Sequence, residues 1–325
     1  MTAPADVHQD PVRWGVLGPG RIATRFLSGA RLSSAAVVVA VGSQDRGRAE
    51  AYAALHGIAR PHGSYEALLA DPEVEAVYIA LPNGLHHSWT MAALRAGKHV
   101  LCEKPYSRYP GEVDAAFDLA EASDLLLAEG FMWRHHAQAR RIIGLLPELG
   151  RLEVVRASFS FIPEDASDVR LQRDLEGGSL MDVGCYCVSG ARLVAGEEPR
   201  LAIGSATTGG DGVDVKFSGI LEFPSGLTAE ISSGFTTNGR GLEVVGSAGA
   251  IALLDPWNAD PAVMVRDGVR TEFEPEDLYR LEMDDLSAAV RGRGRPLLGR
   301  ADALGQARTI AALYRSAETG AAVKV

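Results

Sequence analysis

The sequence predicts an α/β protein with two domains: a doubly wound parallel sheet, followed by an α+β domain built on an antiparallel sheet. Over residues 11–130, short apolar strands alternate with helical patterns at short loop lengths, as in parallel sheets. Beyond about residue 130 this alternation ends, and between Leu201 and Phe273 strands follow one another through short turns. Such runs are typical of antiparallel sheets. We therefore expect domains at residues 11–130 and 131–325.

Individual elements follow from the hydrophobic pattern, glycine stops and turn residues. The strands predicted in the first domain are Arg13–Leu17, Val37–Val41, Val77–Ala80, His99–Cys102 and Leu125–Ala128. The helices between them are expected to end at Ala30 and to span Gly47–Leu55, Tyr65–Ala70, His87–Ala96 and Gly111–Ser123. In the second domain we expect strands at Leu152–Phe161, Val213–Phe223, Leu227–Phe235 and Leu242–Val245, and helices up to Leu146, between 170 and 196, at Tyr279–Arg291 and at Ala301–Ala317.

The composition is that of an ordinary globular protein and argues against several functions. The 325 residues carry a net charge of −10 and no run of Lys and Arg, which argues against nucleic-acid binding. No apolar run approaches the roughly 20 residues of a membrane span, and the start has no secretory pattern, so we expect a cytoplasmic protein. Cys102, Cys185 and Cys187 lie in apolar surroundings and are expected to be buried thiols.

The first strand leads into a glycine turn that predicts dinucleotide binding. Gly18-Pro19-Gly20-Arg21-Ile22-Ala23 has the G-x-G-x-x-A pattern and lies between a strand and a helix. Gly18 permits the tight turn, Gly20 lets the backbone approach a pyrophosphate, and the small Ala23 lets the helix pack close to the sheet. The unpaired N–H groups of the helix N-terminus would then face the phosphates.

The end of the second strand favours NADP over NAD. Residues 41–43 contain no acid that could bind a ribose 2′-hydroxyl. Ser43 can donate to a 2′-phosphate, and Arg46 and Arg48 lie close behind. Asp45 is expected to cap the next helix, although it could instead reach the ribose, so NAD stays possible.

Lys104 lies at the exit of a buried strand, in the stretch Val100–Pro105. Proline lacks an amide hydrogen and pushes the residue before it out of helical geometry, so the strand ends here. Lysine is rare in this chain, which makes Lys104 a candidate for chemistry; a surface lysine at a strand end is the alternative. The glycine turn, Ser43, Pro82-Asn83 and Glu103-Lys104 all follow strand ends and should converge on one cleft, since ligands of such sheets lie beyond the carboxyl ends of the strands.

A second cluster of candidate residues follows Gly177-Gly178, where a helix is expected to begin. Asp182 and Tyr186 are four residues apart, so both project from one helix face. Apolar neighbours such as Leu180 indicate that the helix is buried, and a buried carboxylate needs a partner, for which Lys104 is the natural candidate. The alternative is that Asp182 and Tyr186 only tie the helix to a neighbouring loop.

Metal binding and serine-hydrolase chemistry are not expected. The pairs His86-His87 and His135-His136 are adjacent in sequence, so their side chains point in different directions, and no matching ligand set accompanies them. The chain also has no G-x-S-x-G element.

With these motifs in this order, the chain resembles the glucose–fructose oxidoreductase/inositol dehydrogenase family (Gfo/Idh/MocA) from about residue 12 to the end. The resemblance implies an N-terminal Rossmann domain and a C-terminal domain with a large, mostly antiparallel sheet. In the family this sheet commonly forms the oligomer contact, which implies a homodimer or homotetramer. Members oxidise or reduce sugars and related polyols with NAD or NADP.

The lysine of the family's Glu-Lys-Pro motif matches Lys104, and its Pro-Asn pair matches Pro82-Asn83. The family's Asp-x-Gly-x-His motif reads Asp182-Val183-Gly184-Cys185-Tyr186 here. Tyrosine at the histidine position resembles the branch of dimeric dihydrodiol dehydrogenases, aldose (xylose-type) 1-dehydrogenases and nucleotide-sugar 3-ketoreductases. The run Glu129–His136 also fits this branch, although Ala137 stands where proline is common. Many relatives have Ser-Arg where this chain has Ser43-Gln44.

The resemblance and the residue chemistry together give expected roles. Tyr186 is expected to be the direct acid/base and to contact the substrate, while Lys104 orients the hydroxyl and lowers the tyrosine pKa. Burial is expected to lower the pKa of Lys104. Asp182 would hold the substrate or Lys104, and Trp133, Arg134 and Arg173 would form the substrate wall. The expected coenzyme residues are Gly18, Gly20, Arg21, Ile22, Ser43, Gln44, Arg46, Leu81, Asn83, His86, Glu103 and Lys104.

The predicted activity is NADP(H)-dependent hydride transfer at a sugar or vicinal-diol hydroxyl carbon, and three other functions stay open. A nucleotide-sugar 3-ketoreductase of the same fold would need room and positive charge for a diphosphate. An NAD-dependent glycoside hydrolase, also found in this family, would recycle its coenzyme. A non-catalytic coenzyme sensor would have no need for both Lys104 and Tyr186.

Overall fold

The computed structural model describes residues 10–165 and 167–325. Six strands form a parallel sheet: β1 Val12–Leu17, β2 Ala36–Gly42, β3 Arg60–His62, β4 Ala76–Ile79, β5 His99–Glu103 and β6 Leu127–Gly130. Their order is β3-β2-β1-β4-β5-β6, which confirms the doubly wound sheet and places its switch point between β1 and β4. The short edge strand β3 was not predicted, because Arg60-Pro61-His62 has no apolar pattern.

Five helices connect these strands: α1 Arg21–Ala30, α2 Arg46–His56, α3 Tyr65–Leu69, α4 His86–Arg95 and α5 Pro110–Ala122. The carboxylate of Asp45 accepts a hydrogen bond from the backbone N–H of Arg48 and caps α2, as predicted. Gly57 ends the same helix in the left-handed conformation, with φ of 73°.

Aromatic side chains fill the layer between the first sheet and its helices. Phe26 of α1 stacks on Tyr78 with 3.9 Å between ring centroids and contacts Trp14 edge-on at 5.6 Å. All three rings are fully buried. Trp14 Nε1 donates to Ser287 Oγ at 3.1 Å, so a late segment of the chain packs against the first sheet.

The second sheet has nine strands: β7 Leu152–Ser160, β8 Leu201–Thr208, β9 Asp214–Glu222, β10 Thr228–Gly234, β11 Gly239–Gly246, β12 Gly249–Leu253, β13 Val263–Arg266, β14 Val269–Glu272 and β15 Val323–Lys324. Their order is β14-β13-β12-β11-β7-β10-β9-β8-β15. Among the described strands of this sheet, only β7 and β10 pair in parallel, so the mostly antiparallel sheet is confirmed.

Four further helices are α6 Ala137–Leu145, α7 Cys185–Ala195, α8 Leu278–Val290 and α9 Arg300–Thr319. A wider π turn, Leu180–Gly184, precedes α7. Helix α7 packs on β7 and β10, whereas α8 packs on α1, and α9 packs on both β8 and α5. One buried apolar cluster therefore extends through both sheets. Within the described residues, no helix is long and apolar enough to cross a membrane.

Glu129, at the end of β6, is a buried carboxyl group with one unpaired oxygen. Its Oε1 accepts a hydrogen bond from the backbone N–H of Tyr106 at 2.8 Å, and its Oε2 has no partner among the described residues. Burial raises the pKa of Glu129 to about 8. The folded chain therefore keeps a proton that the unfolded chain loses near its ordinary glutamate pKa.

We predict that Glu129→Gln reduces the pH dependence of stability. Between the ordinary glutamate pKa and about 8, the folded wild type binds this extra proton, so its stability falls with rising pH by up to about 1.4 kcal/mol per pH unit. The amide cannot ionise, so the variant should lose this slope. Denaturant unfolding of the wild type and the variant at about pH 5.5 and about pH 8 measures how the free energy of unfolding of each depends on pH. Equal pH dependences in the two proteins would contradict a raised pKa at Glu129.

Candidate active site

Four neighbouring strands of the first sheet, β2, β1, β4 and β5, end at the same edge. The segments that follow them are joined by backbone hydrogen bonds. Gly18 N–H donates to the Gly42 carbonyl at 3.1 Å, and Ala80 N–H donates to the Leu17 carbonyl at 2.9 Å. The strand ends that the sequence places in one cleft are thus neighbours.

Gly18 and Gly20 have different functions in the turn before α1. Gly18 has φ of 94°, and a Cβ there would lie 2.7 Å from Leu81 Cδ2 and 2.8 Å from the Ala80 carbonyl oxygen. Glycine is therefore required at this position. Gly20 is extended, with φ of −141°, and no atom of the described residues lies within 4 Å of where its Cβ would be. The space beside Gly20 is open.

The N-terminus of α1 fits a dinucleotide pyrophosphate. In the described structure no side chain caps this helix and its first turn contains no acid, so its N–H groups and partial positive charge face the space at Gly20. Arg21 is 79% exposed, and its guanidinium lies 3.7 Å from Asp168 and 3.8 Å from Glu164. Such long, exposed contacts leave it free to turn towards a phosphate. Ile22 packs against the apolar core instead.

The end of β2 offers a hydroxyl group. Ser43 is buried, and its Oγ accepts a hydrogen bond from the Asp45 N–H at 3.2 Å, so the hydroxyl hydrogen can still be donated. Gln44 beside it is exposed.

Arg46 and Arg48 point in different directions. Arg46, expected to supply positive charge to the coenzyme, donates instead to Glu50 on its own helix at 2.8 Å. Arg48 donates from Nη2 to the carbonyl of Pro19 at 2.6 Å, inside the glycine turn. Arg48 thus lies between the end of β2 and the glycine turn, where a coenzyme ribose would be expected.

The loop after β4 joins the two domains. Asn83 Nδ2 donates to the carbonyl of Glu176 at 2.9 Å. The ring nitrogens of His86 each lie 2.8 Å from a backbone carbonyl, those of Leu81 and Pro105, and burial lowers the pKa of His86 to about 4. The neutral ring has a single N–H, so it donates to one of these two carbonyls. His86 is fully buried between the β4 loop and the Glu-Lys-Pro segment, and the described residues show no direct path from its ring to a coenzyme.

Lys104 reaches from the end of β5 to the second domain. Its Nζ donates to the main-chain oxygen of Asp182 at 2.7 Å and lies 3.3 Å from Asp182 Oδ1. The same ammonium lies 4.9 Å from the centre of the Tyr186 ring. Both charged side chains are only 12% exposed. The expected pairing of Lys104 with Asp182 is therefore present.

Close packing explains the glycine pair before the Asp182 helix. A Cβ at Gly177 would overlap the carbonyl oxygen of Arg170. Gly178 has φ of 121°, and a Cβ there would overlap the carboxylate of Asp214. Asp214 in turn accepts two hydrogen bonds of 2.7 Å, one from the Ser179 hydroxyl just before the π turn and one from the Leu180 N–H at its start. These contacts fix the start of the helix.

The directions predicted for the pKa values of Lys104 and Tyr186 were wrong. Burial alone would lower the pKa of Lys104, but Asp182, Cys185 and Glu103 outweigh it and raise the pKa above the usual value. Burial raises the pKa of Tyr186 well above its usual value, and Glu103 adds to this. The tyrosine ring, rather than its hydroxyl, faces Lys104. Both groups are therefore protonated at neutral pH.

Glu103 lies behind Lys104 in the interior. Its carboxyl group accepts hydrogen bonds from the Tyr78 hydroxyl and from the Lys104 backbone N–H at 3.2 Å. Burial raises its pKa. The carboxyl group thus holds the end of β5 rather than extending into the cleft.

Arg170 was not predicted, and it lies next to Asp182. Its Nε donates to Asp182 Oδ2 at 2.7 Å. It belongs to a short 3₁₀ turn, Val169–Leu171, and no spacing in the sequence marks it. Arg173 was expected in the substrate wall. Its backbone N–H donates a hydrogen bond to the Asp211 carboxylate at 2.7 Å, and its guanidinium lies beside Gly212.

Trp133 and Arg134 do not form the predicted substrate wall. Trp133 is 1% exposed and packs edge-on against Trp257 with 5.1 Å between ring centroids. Arg134 Nη1 lies 3.3 Å from Ser189 Oγ and 3.4 Å from Asp302, between α7 and α9. An aromatic residue and an arginine suit a sugar site and the protein interior equally well, and here Trp133 lies in the core while Arg134 is held by α7 and α9.

Comparison with known proteins agrees with this geometry. Residues 12–131 match the model of an oxidoreductase family with an NAD-binding Rossmann fold, Gfo/Idh/MocA, and residues 137–252 match that family's C-terminal domain. The chain belongs to the Gfo/Idh/MocA oxidoreductase family. The family, predicted from the sequence motifs, is thereby confirmed.

Three relatives of the Gfo/Idh/MocA family illustrate the similarity. The NADP⁺-dependent D-xylose 1-dehydrogenase 2 of Haloferax volcanii is 41% identical over 322 residues, covering 96% of this chain and 99% of the relative. The crystal structure of aldose-aldose oxidoreductase from Caulobacter crescentus, complexed with glycerol, has a TM-score of 0.90 at 29% identity. The match covers 97% of this chain and 100% of that structure's chain. A 3-ketoreductase from Actinomadura kijaniata, solved with NADP and TDP-benzene, has a TM-score of 0.86 at 29% identity. This match covers 94% of this chain and 98% of the ketoreductase chain.

We predict that Gly20→Asp abolishes coenzyme binding without unfolding the protein. Aspartate is a preferred N-cap residue and tolerates the extended backbone of Gly20, so α1 should be at least as stable. Its carboxylate would repel the pyrophosphate and occupy the open space. Gly20→Asn caps equally well without the charge, so its coenzyme Kd should rise less. Titration of NADP⁺ by intrinsic fluorescence measures this, and equal Kd values for Gly20→Asp and the wild type would contradict the site.

Proposed function

We propose that this chain is an NADP(H)-dependent oxidoreductase that transfers a hydride between nicotinamide and a hydroxyl-bearing carbon of an aldose or vicinal diol. The observation that carries the proposal is the Lys104 ammonium, held by Asp182 at the sheet edge that also carries the glycine turn. The 41% identity to an NADP⁺-dependent D-xylose 1-dehydrogenase supports a pentose-type aldose as the first substrate to test.

In this proposal Tyr186 and Lys104 provide the proton transfer. Reduction needs a protonated group at the carbonyl oxygen, and oxidation needs the same group to accept a proton. The Tyr186 hydroxyl lies 3.5 Å from the sulfur of Met132, and a thioether is a weak acceptor. The hydroxyl can therefore turn to a substrate oxygen, with Tyr186 as direct acid/base and Lys104 as the charge that orients the substrate.

The described residues also fit the coenzyme. Bound nicotinamide would supply the carbon that accepts or donates the hydride. The α1 N-terminus and Arg21 would hold the pyrophosphate, and Ser43 with Arg48 would hold a 2′-phosphate. Leu81 and Asn83, at the end of β4, would line the opposite side of the site.

Charge pairing around Lys104 supports a neutral substrate. Lys104 and Arg170 share Asp182, and Arg108 lies 3.7 Å from Glu176. These cations already have carboxylate partners, so a diphosphate would have to displace one of them. A free sugar or diol offers only hydroxyl groups and requires no such exchange. A nucleotide-sugar 3-ketoreductase is the second candidate, favoured by the similarity to the Actinomadura enzyme.

We further infer that the chain pairs with a second copy, as a dimer or a tetramer, in the cytoplasm. Exposed Ile203 and Ile220 border a depression of about 530 Å³ on the face of the second sheet opposite α7 and α9. Arg156 pairs with Glu230 and Glu243 on the same face, so a two-fold contact could match unlike charges. Light scattering that found only monomers would contradict the pairing.

The buried free cysteines suit a reducing compartment.

We predict that NADP⁺ is reduced when the protein meets D-xylose or a related member of a panel of aldoses, inositols and vicinal diols. Lys104→Met and Tyr186→Phe should each lower kcat by at least about 100-fold, because they remove proton-transfer groups. Coenzyme binding should persist in both variants, which serves as the control for folding. Tight coenzyme binding without turnover of any free sugar or diol would favour keto-sugar nucleotides instead.

We also predict that the two directions of the reaction depend differently on pH. The pKa values of Lys104 and Tyr186 are both raised, so the proton-accepting form is scarce at neutral pH. Oxidation should therefore accelerate with rising pH, by up to about tenfold per pH unit below the pKa. Reduction should be nearly constant over the same range. Initial rates across this range test the sign, and an oxidation optimum near neutrality would contradict it.

A further inference from the structure

Arg170 and Lys104 hold opposite oxygens of one carboxylate. Arg170 Nε donates to Asp182 Oδ2 at 2.7 Å, while Lys104 Nζ lies 3.3 Å from Oδ1. Arg170 Nη1 also lies 3.2 Å from both carboxylate oxygens of Asp168. The guanidinium lies over the ring of Phe161, 5.6 Å from its centre. Arg170 is therefore held from three sides.

The main chain of Arg170 is fixed to the start of the same helix. Its carbonyl accepts a hydrogen bond from the Gly178 N–H at 2.8 Å, and its own N–H donates to Asp168 Oδ1 at 3.0 Å. A Cβ at Gly177 would overlap this same carbonyl oxygen. Side chain and main chain thus both join Arg170 to the segment that carries Asp182.

This arrangement limits how Asp182 can bind Lys104. An ammonium has three N–H donors, and here one is used by the main-chain oxygen of Asp182 at 2.7 Å. A second makes the longer contact with Oδ1, which leaves a donor for a substrate oxygen. Without Arg170, Asp182 could turn both carboxylate oxygens towards Lys104 and hold the ammonium more closely.

We propose that Arg170 is a positioning residue that occupies Oδ2 of Asp182 and thereby keeps Lys104 free to contact the substrate. The inference rests on the function proposed for Lys104. Arg170 acts through Asp182 and not on the reacting atoms. Asp168 lies 3.7 Å from Arg21 as well, so the same chain of ion pairs extends to the glycine turn.

The charged and titratable groups around Lys104 come from every element packed against it. They are Glu103 and Glu129 from the first sheet, His86 from α4, Asp182, Cys185 and Tyr186 from the π turn and α7, Tyr279 from α8, and Arg170 from the 3₁₀ turn Val169–Leu171. Of these groups, Arg170 carries a positive charge at neutral pH, whereas His86, with a pKa of about 4, is neutral.

Lys104 can be observed without turnover, because the chain has only three other lysines, Lys98, Lys216 and Lys324. Protein labelled with ¹³C at lysine Cε gives few resonances, and Lys104→Met assigns the one of interest. In Arg170→Gln the pKa of Lys104 should be higher than in the wild type, because the Arg170 guanidinium lowers it. An unchanged titration would overturn the proposal.

Kinetics provide the second test. In Arg170→Gln, kcat for sugar oxidation should fall about 10-fold or more, while KM and the coenzyme Kd change less than about threefold. Arg170→Lys keeps the charge but cannot bridge Asp182 and Asp168, so it should recover part of kcat. Arg151→Gln removes an exposed arginine that pairs with Glu153 and should behave as the wild type.

Two kinetic outcomes would overturn the proposal. A higher KM with unchanged kcat would show that Arg170 binds substrate directly. Equal losses in Arg170→Gln and Arg170→Lys, together with weaker coenzyme binding, would show a purely structural function. If the wild type oxidises no sugar, the proposed function fails, whereas the Lys104 titration still decides the position of Arg170.

Discussion

The contact between the Lys104 ammonium and Asp182 is the interaction on which the rest of the site depends. It joins the end of a strand in the first sheet to the start of a helix that packs on the second sheet. Both side chains are largely buried, so each charge requires the other; removing one partner of such a pair costs on the order of 3–5 kcal/mol. The alignment of the two sheets and the position of the lysine are therefore set by the same contact.

The parallel sheet explains why chemistry is located at this edge. Its strands end side by side, so the glycine turn, Ser43 and Lys104 lie along one edge of the sheet although they are far apart in sequence. The helix that follows the glycine turn contributes its N–H groups and carries no acid in its first turn. The second domain contributes Asp182, Tyr186 and Arg170, which surround the lysine. In the described residues, the candidate coenzyme site belongs to the first domain, whereas Asp182, the carboxylate that Lys104 contacts, belongs to the second.

Much of this site could be predicted from the sequence because its requirements are local. A tight turn requires Gly18, and a proline ends the strand at Lys104. The sequence also predicted that buried Asp182 requires a cation as its partner. The directions of the pKa shifts could not be predicted from the sequence. Burial lowers the pKa of a lysine and neighbouring carboxylates raise it, so the net shift of Lys104 depends on distances.

Long-range packing accounts for the other differences. Trp133 packs in the core and Arg134 is tied to α9 because Trp257 and Asp302, more than 100 residues later in the chain, contact them. No local pattern reports such contacts. Arg170 was missed for a similar reason, since it reaches Asp182 from a separate 3₁₀ turn, 12 residues earlier in the chain.

The measurement that tests the central claim most directly is the transfer of deuterium from D-xylose labelled at carbon 1 to NADP⁺. The account predicts that the NADPH formed by the wild type carries the label, and that Lys104→Met, at equal coenzyme occupancy, forms labelled NADPH far more slowly. Unlabelled NADPH, or equal rates in the two proteins, would contradict hydride transfer at the Lys104 site.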